Sequence, residues 1–516
     1  MARANAEWTT NPLAYELEVL TLVNNEGVGY DIRELMLECN IYESITSNFL
    51  MGEIAIADAI GLLENAKIFG QETLSIRFAM PTGKRPAGPD DDLIDQVFRI
   101  YKVSGIHRIG QNTTVYKLSF CAPELIHAKR IRISEAHRDS LSKIATKLAK
   151  NHLGIIPIGA GESFPKRRPF FENVIGSPGE QYHVVIPNWT VNYAINWLCQ
   201  QAQGEGYFTG FQDSFFFFQT ARGGYRVQSL SDMHTIQYLD RGIFHYAPAA
   251  AAGTVDTTKS GGGGSKGKQP EWDEEESGIG AGRRILDYTI GKTANVLEGT
   301  MEGLFAQKQI TINNTNKYQT ESNFNYLERF FSQSGQGHYP LVRQMPEELS
   351  YGDAANDPNS TEVPTMPYTN TKIQGKPISD YPEAHTTLTS DSNFVNDEKD
   401  IYYQANHNTH LGSEQLRTAV RQLLNYYTMN ALISCRTDIS CGEWVRLKIP
   451  PTRGQDDKRP DDGKFHSGDY LITEIKWGLT TQECRTNIKV MKDSYLNQIE
   501  TASSDFAPLM KLKKGK

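Results

Sequence analysis

The sequence predicts a mainly β chain with an α+β centre: two similar antiparallel β-barrels joined by a helix-plus-hairpin region, with a flexible linker and a long extended coil. Three observations predict it. Apolar residues alternate with period two through residues 12–122 and again near the C-terminal end. Helical periodicity is concentrated in the middle and in one stretch before the second set of strands. A weak internal repeat relates the two strand-rich ends.

Tyr15–Leu20, Leu35–Ile41 and Gly52–Asp58 alternate as half-buried strands do, and Ile60–Phe69 supplies one or two helical turns. Thr73–Met80, Phe98–Arg108 and Thr114–Cys121 complete an antiparallel barrel of about six strands, with a Pro/Gly/Asp loop, Pro81–Asp95, between the first two of these. The period then changes. Ser140–Ala149 puts Leu141, Ile144, Ala145 and Leu148 on one helical stripe, and Asn192–Gln203 does so less cleanly with Tyr193, Ile195, Trp197 and Leu198. Tyr207–Phe211 and Phe215–Phe218 precede a Gly223-Gly224 turn and Tyr225–Leu230, which reads as a hairpin. The four consecutive phenylalanines are either a ligand-stacking platform or, more commonly, a strand buried on both faces.

From Ala249 to Gly282 an alanine run, Gly261–Ser265 and the acidic Asp273–Glu276 cannot bury enough apolar surface to offset ordering entropy, which predicts a flexible linker. Asp287–Ile312 regains strand and helix character, whereas Glu347–Lys399 reads as extended coil. Ser413–Asn430 predicts a helix with Leu416, Ala419, Val420, Leu423, Leu424 and Tyr427 on its apolar face. The expected organisation is a first barrel at 1–125, an α+β domain at 126–247, the linker at 248–284 and an irregular extended segment at 285–412. A helix with the second barrel occupies 413–500, and a basic tail 501–516.

The repeat pairs Gly70–Phe78 with Gly442–Ile449. Each runs into proline, Pro81 or Pro450-Pro451, then into a loop rich in Arg-Pro, Asp-Asp and Gly, Thr82–Gln96 or Thr452–Asp469. A similar strand follows each loop, Val97–Val103 or Tyr470–Ile475, and a last strand closes each set, Tyr116–Phe120 or Arg485–Val490.

Composition narrows the function. The 516 residues allow three or four domains at about 150 residues each, and 39% hydrophobic residues with 43 glycines exclude wholesale disorder. Lys+Arg 53 against Asp+Glu 61 leaves a net charge of −8, and no long stretch is basic before Lys511–Lys516, which argues against a phosphate-gripping groove. The six cysteines are scattered without a C-x-x-C and read as reduced core thiols, although Cys435 and Cys441 would be placed to pair in an oxidising setting. No signal-peptide run or membrane span is found, so synthesis in a cytoplasm is expected.

Catalytic signatures are weak. There is no G-x-S-x-G, P-loop, H-E-x-x-H or EF-hand loop. Ser140–Lys143 matches S-x-x-K, but no S-D-N or K-T-G follows and the serine stands where a helix N-cap would. Gly278–Gly282 lacks the preceding strand of a dinucleotide loop and reads as linker. His407 and His410, with His338, His385 or His466, are the nearest to a metal set, yet their Asn/Thr neighbours suggest coil. The carboxylates Asp90–Asp92 and Asp456-Asp457 stand in loops where solvation explains them. No enzyme, metal or cofactor is expected.

Specific residues carry a resemblance. Tyr42–Asp58 with Gly70-Gln71-Glu72, then Val191–Leu198, Phe215–Gln219 and Tyr225–Leu230, then Ser467–Thr473 and Lys489–Tyr495, resemble the central baseplate hub proteins of contractile-tailed phages. That family shares its fold with late-control-D-type hubs and the hub portion of VgrG spikes in type VI secretion, and the resemblance spans roughly residues 12–247 and 413–497. It implies a structural virion protein of the tail baseplate: a homotrimer whose six barrels adapt a sixfold tail tube to a threefold spike and line a DNA channel. The implied partners are a trimeric spike protein, tail-tube or tube-initiator proteins and baseplate wedge proteins, with DNA passing without specific binding. Lys84, Arg85, Asp91, Arg453, Asp456 and Lys458, in the two equivalent loops, are the candidate tube contacts. The chain stops soon after the second barrel, which favours a separate spike. The alternatives are a hub of a bacterial contractile injection or type VI-like system, or a tail-associated cell-wall hydrolase.

Overall fold

The computed structural model describes residues 13–80, 93–109, 112–157, 169–174, 182–202, 215–222, 224–230, 233, 243–246, 283–292, 295–313, 317–326, 372–373, 376–377, 380–390, 413–423, 425, 427–449 and 466–492. The fold is mainly β. Strands β1 (Glu16–Val23), β2 (Gly29–Asp31), β3 (Met36–Ser44), β4 (Met51–Asp58), β5 (Thr73–Ala79), β6 (Leu93–Ile109) and β7 (Thr113–Cys121) pair antiparallel in the order β2-β1-β5-β6-β7-β4-β3. Alternation puts Ile54 and Ile56 of β4, Leu74, Ile76 and Phe78 of β5, and Ile94, Phe98 and Ile100 of β6 into one core. The predicted helical interruption is a single turn, α1 (Leu62–Asn65). Its start is capped from a distance: the buried Asp58 carboxylate accepts the N–H groups of Ile60, Leu62 and Leu63 at 2.8–3.1 Å.

The middle of the chain packs a second core. Helix α2 (Pro123–Arg130) leads to β8 (Arg132–Asp139), α3 (Leu141–Leu153), β9 (Ile156–Pro157), β10 (Phe170–Val174), β11 (Tyr182–Thr190), α4 (Val191–Gln201) and the hairpin β12 (Phe215–Gln219) and β13 (Gly224–Ser229). The predicted stripe of α3 is buried, and Gly154 ends the helix in the left-handed conformation. In α4 the buried face is Val191, Ala194, Ile195, Leu198 and Cys199. Tyr193 points outward instead, 53% exposed, because the helical period places it on the face opposite Val191, Ala194, Ile195 and Leu198, where its ring meets that of Trp189 edge-on at 5.0 Å. The four phenylalanines of β12 are buried on both faces: Phe216 and Phe218 enter the barrel core, Phe215 and Phe217 the core of α3 and α4.

Strands β14 (Ile243–Tyr246) and β15 (Arg284–Lys292) come next. Helix α5 (Val296–Met301) and strands β16 (Ala306–Asn313), β17 (Tyr318–Asn325), β18 (Lys372–Ile373), β19 (Lys376–Pro377) and β20 (Thr386–Ser390) follow. Helix α6 (Ser413–Leu423) then precedes β21 (Thr428–Ile433), β22 (Trp444–Lys448), β23 (Gly468–Leu479) and β24 (Cys484–Met491). Thus the helix expected over 413–430 gives way to a strand at Thr428, where Met429, Ala431 and Ile433 alternate into the core. The second barrel closes as β23-β22-β14-β15-β21-β24, with β24 pairing back onto β23. Two of these strands, β14 and β15, lie outside 413–500. Closing the barrel needs all six, and a four-residue strand is too short to announce itself by alternation.

The two barrels repeat one plan. Strand order β3-β4-β7-β6-β5-β1 in the first matches β15-β21-β24-β23-β22-β14 in the second, but the ends differ: β14 runs parallel to both neighbours and pairs with β15, whereas β1 is antiparallel to β5 and pairs with β2. The turn chemistry repeats too. The Glu72 carboxylate gathers the N–H groups of Phe69, Gly70 and Gln71, and the Glu443 carboxylate takes that of Ser440. Directly across, Ile100 and Ile472 donate their N–H to the carbonyls of Glu72 and Glu443, both at 2.9 Å. Arg77–Asp95 and Arg446–Asp469, each at 2.7 Å, tie the equivalent strand pairs together. Strand β3 pairs antiparallel with β23 from Ser44↔Glu474 to Cys39↔Leu479, so both barrels belong to one continuous sheet.

This close packing exposes one glycine as obligatory. A Cβ on Gly52 in β4 would stand 2.4 Å from the Asn40 carbonyl oxygen and from the Phe120 ring. Gly52→Ala is expected to destabilise the chain by about 1–3 kcal/mol through overpacking, measured as a lower urea midpoint. Adding Phe120→Leu is expected to restore only part of the loss, because the clash with the Asn40 backbone remains.

Candidate functional site at the junction of the barrels

The hairpin β12–β13 inserts its turn between the two barrels, and there five charged side chains are withdrawn from water. Arg226, on β13, is 2% exposed. It donates from Nε and Nη2 to Glu172 of β10, from Nη2 to Glu443 before β22 (all 3.0 Å), and from Nη1 to the Cys441 carbonyl at 3.2 Å. Arg222, in the hairpin turn, donates to Glu443 at 2.9 Å and to the Ser440 hydroxyl at 3.3 Å. On the other side Glu43 of β3 accepts the backbone N–H groups of Ala221 and Cys441, both at 2.6 Å. Gln96 of β6 completes the stitching by donating to the Ala221 carbonyl at 2.9 Å.

Three carboxylates and two guanidiniums leave this cluster with a net charge of −1 when all are ionised. Burial pushes the Glu43 carboxyl up, the two N–H donors and Arg226 pull it down, Glu443 adds repulsion, and the balance lies at about 7. Burial acts the same way on Glu172, but there Arg226, Arg222 and the Thr220 hydroxyl outweigh it and bring the group to about 2. Burial opposes the charge on Arg226 as well, and Glu172 and Glu443 more than compensate, holding it firmly protonated. The arginines and Glu172 and Glu443 bond one another and Glu43 holds two backbone N–H groups, so the arrangement fastens three parts of the chain.

The sequence reading did not single out these five as a group. Glu43, Arg226 and Glu443 do fall inside the stretches that carried the resemblance or the repeat, and an arginine amid phenylalanine-rich, fully buried strands was the available signal. The candidate tube contacts Lys84, Arg85, Asp91, Arg453, Asp456 and Lys458 lie outside the described residues, as do Asp90–Asp92, Gly278–Gly282, His338, His407 and His410. His385 faces the Met301 carbonyl and His466 the Tyr427 hydroxyl. Among the described residues no group of three His, Cys, Asp or Glu side chains is arranged to hold a metal. All six cysteines are buried free thiols, and the neighbour of Cys435 is Cys484, not Cys441. Ser140 does occupy the N-cap of α3, without a capping bond from its hydroxyl, while Lys143 turns away to Asp139 at 3.7 Å. Among the described residues no helix is long and apolar enough to cross a membrane.

No family model matches the sequence, and a search of curated proteins finds no match. Solved structures do share the outline. A prophage tail protein from Shewanella oneidensis is 9% identical with a TM-score of 0.43, covering 93% of this chain and 98% of its own. A tail protein from Neisseria meningitidis gives 9%, 0.43, 93% and 97%. An Escherichia coli component of the type VI secretion system gives 7% identity and a TM-score of 0.36, covering 95% of this chain and 79% of its own. These neighbours are tail and secretion-system proteins.

Two outcomes are expected of the cluster. Arg226→Met leaves buried carboxylates without their counter-charge and should lower stability by about 3–5 kcal/mol, read from urea unfolding at pH 7.5. The second concerns pH. Glu43 has a folded pKa above its unfolded value, so its contribution is complete below about 4.5 and is lost as pH rises through about 7. Between pH 5 and 7.5 the wild type should therefore lose stability relative to Glu43→Gln, by on the order of 3 kcal/mol. Parallel pH profiles for the two proteins would contradict this assignment.

Proposed function

We propose that this chain is a structural hub of a contractile phage tail. It forms a homotrimer whose six barrels make a ring, meeting a sixfold tail tube on one face and a threefold spike on the other. The observation that carries this reading is the pair of barrels with one strand order, set side by side in a single sheet. Three copies of such a chain supply six quasi-equivalent units while keeping threefold symmetry. The hub-like residue patterns at Tyr42–Asp58 and Ser467–Thr473 support the same conclusion.

In the ring, the segments between β5 and β6 and between β22 and β23 join equivalent strands and recur six times. Lys84, Arg85, Asp91, Arg453, Asp456 and Lys458 on them would meet the tube or its initiator. A trimeric spike binds the opposite face, wedge proteins surround the hub, and the baseplate of the virion is its location. A net charge of −8 suits a channel that lets DNA pass, since phosphates meet little basic surface to hold them. The role is assembly rather than catalysis.

Native mass spectrometry of the purified chain, alone and with its spike protein, tests the reading. A species of three times the chain mass is expected. A monomer in both samples would remove the symmetry argument on which the proposal stands.

A further inference from the structure

A cleft of about 330 Å³ opens where the segment after β3, helix α4, strand β12, the end of α6 and strands β23 and β24 converge. Strand β12 lends it Phe215, Phe216 and Phe217, of which Phe216 keeps the most exposure at 9%. On one wall Lys489 is already neutralised by Glu474 at 2.8 Å. On another stands Arg421, near the end of α6, which keeps solvent contact and has no hydrogen-bond or ion-pair partner among the described residues. Burial pulls its pKa below the ordinary arginine range, and no carboxylate among the described residues offsets the loss of water. Among the described residues the lining thus carries one positive charge without a counter-charge, on a molecule whose net charge is −8.

Asn196 and Gln200 lie one helical turn apart on α4 and line the same cleft, offering two amides that can match the N–H and C=O groups of an extended backbone. We infer that this cleft docks an acidic peptide segment of a partner protein, with a Glu or Asp side chain on the Arg421 guanidinium and an adjacent apolar side chain against the β12 phenylalanines. The volume matches a segment of two or three residues, at the small end of the ligand-site range of about 300–1,000 Å³. A planar guanidinium pairs a carboxylate bidentately, which accounts for arginine at this position. This inference does not depend on the proposed hub role.

The test is fluorescence polarisation of the full chain with a labelled, C-terminally amidated peptide, Phe-Glu-Glu-Phe, against Phe-Gln-Gln-Phe. Saturable binding of the first is expected, weakened about tenfold or more in Arg421→Glu and to an intermediate degree in Arg421→Lys, which keeps the charge but not the planar fork. Equal thermal melting of the variants should accompany the loss. The proposal is overturned by an absence of saturable binding, by equal binding of the Gln peptide, or by unchanged affinity in Arg421→Glu. Full displacement of the peptide by millimolar inorganic phosphate would overturn it as well, since the site would then be one for simple anions.

Discussion

Arg226 is a guanidinium taken almost entirely out of water, and the parts of the chain around it are placed so that it can remain there. Removing such a charge from solvent is unfavourable by several kcal/mol unless hydrogen bonds and counter-charges replace the lost hydration. Glu172 comes from the α+β region, Glu443 and the Cys441 carbonyl from the second barrel. Through Ala221 and Cys441 the same cluster reaches Glu43 in the first barrel. No single part satisfies the group, so the low-energy arrangement is the one in which all three meet. That is a constraint of position more than of stability, since an apolar cluster of equal volume would hold the parts together without fixing their register.

The apolar packing follows the same logic. Strand β12 has no solvent face: alternate phenylalanines enter different cores, and Phe49, at the end of the first barrel's β3–β4 connection, meets Phe217 and Tyr225 edge-on at 6.2 and 6.1 Å. A hairpin shared in this way is a wall common to two compartments, and the polar turn at its tip is what the buried charges grip. Side chains that would be surface residues in an isolated hairpin are interior here on both sides.

Much of this was legible in the sequence because it is local. Strands such as β4 and β5 announce themselves by alternation, α3 by its stripe, and the repeat by turns in which a carboxylate, Glu72 or Glu443, precedes a strand. What was not legible is non-local. Strand β14 has four residues and its partners lie near residues 284 and 446. The buried cluster joins residues 43, 172, 222, 226 and 443, and no window of sequence contains more than two of them. Charged residues are also read as solvent-facing by default, so a buried set is hidden by the rule that finds everything else.

The seam between β3 and β23 has a mechanical meaning. Its six paired positions run side by side, so a load directed along the strands stretches them together in shear instead of opening them one after another. The buried charges brace the barrels from a second direction through the hairpin. A force entering one barrel therefore arrives at the other with little lost to hinge motion, and the paired barrels behave as a stiff coupling.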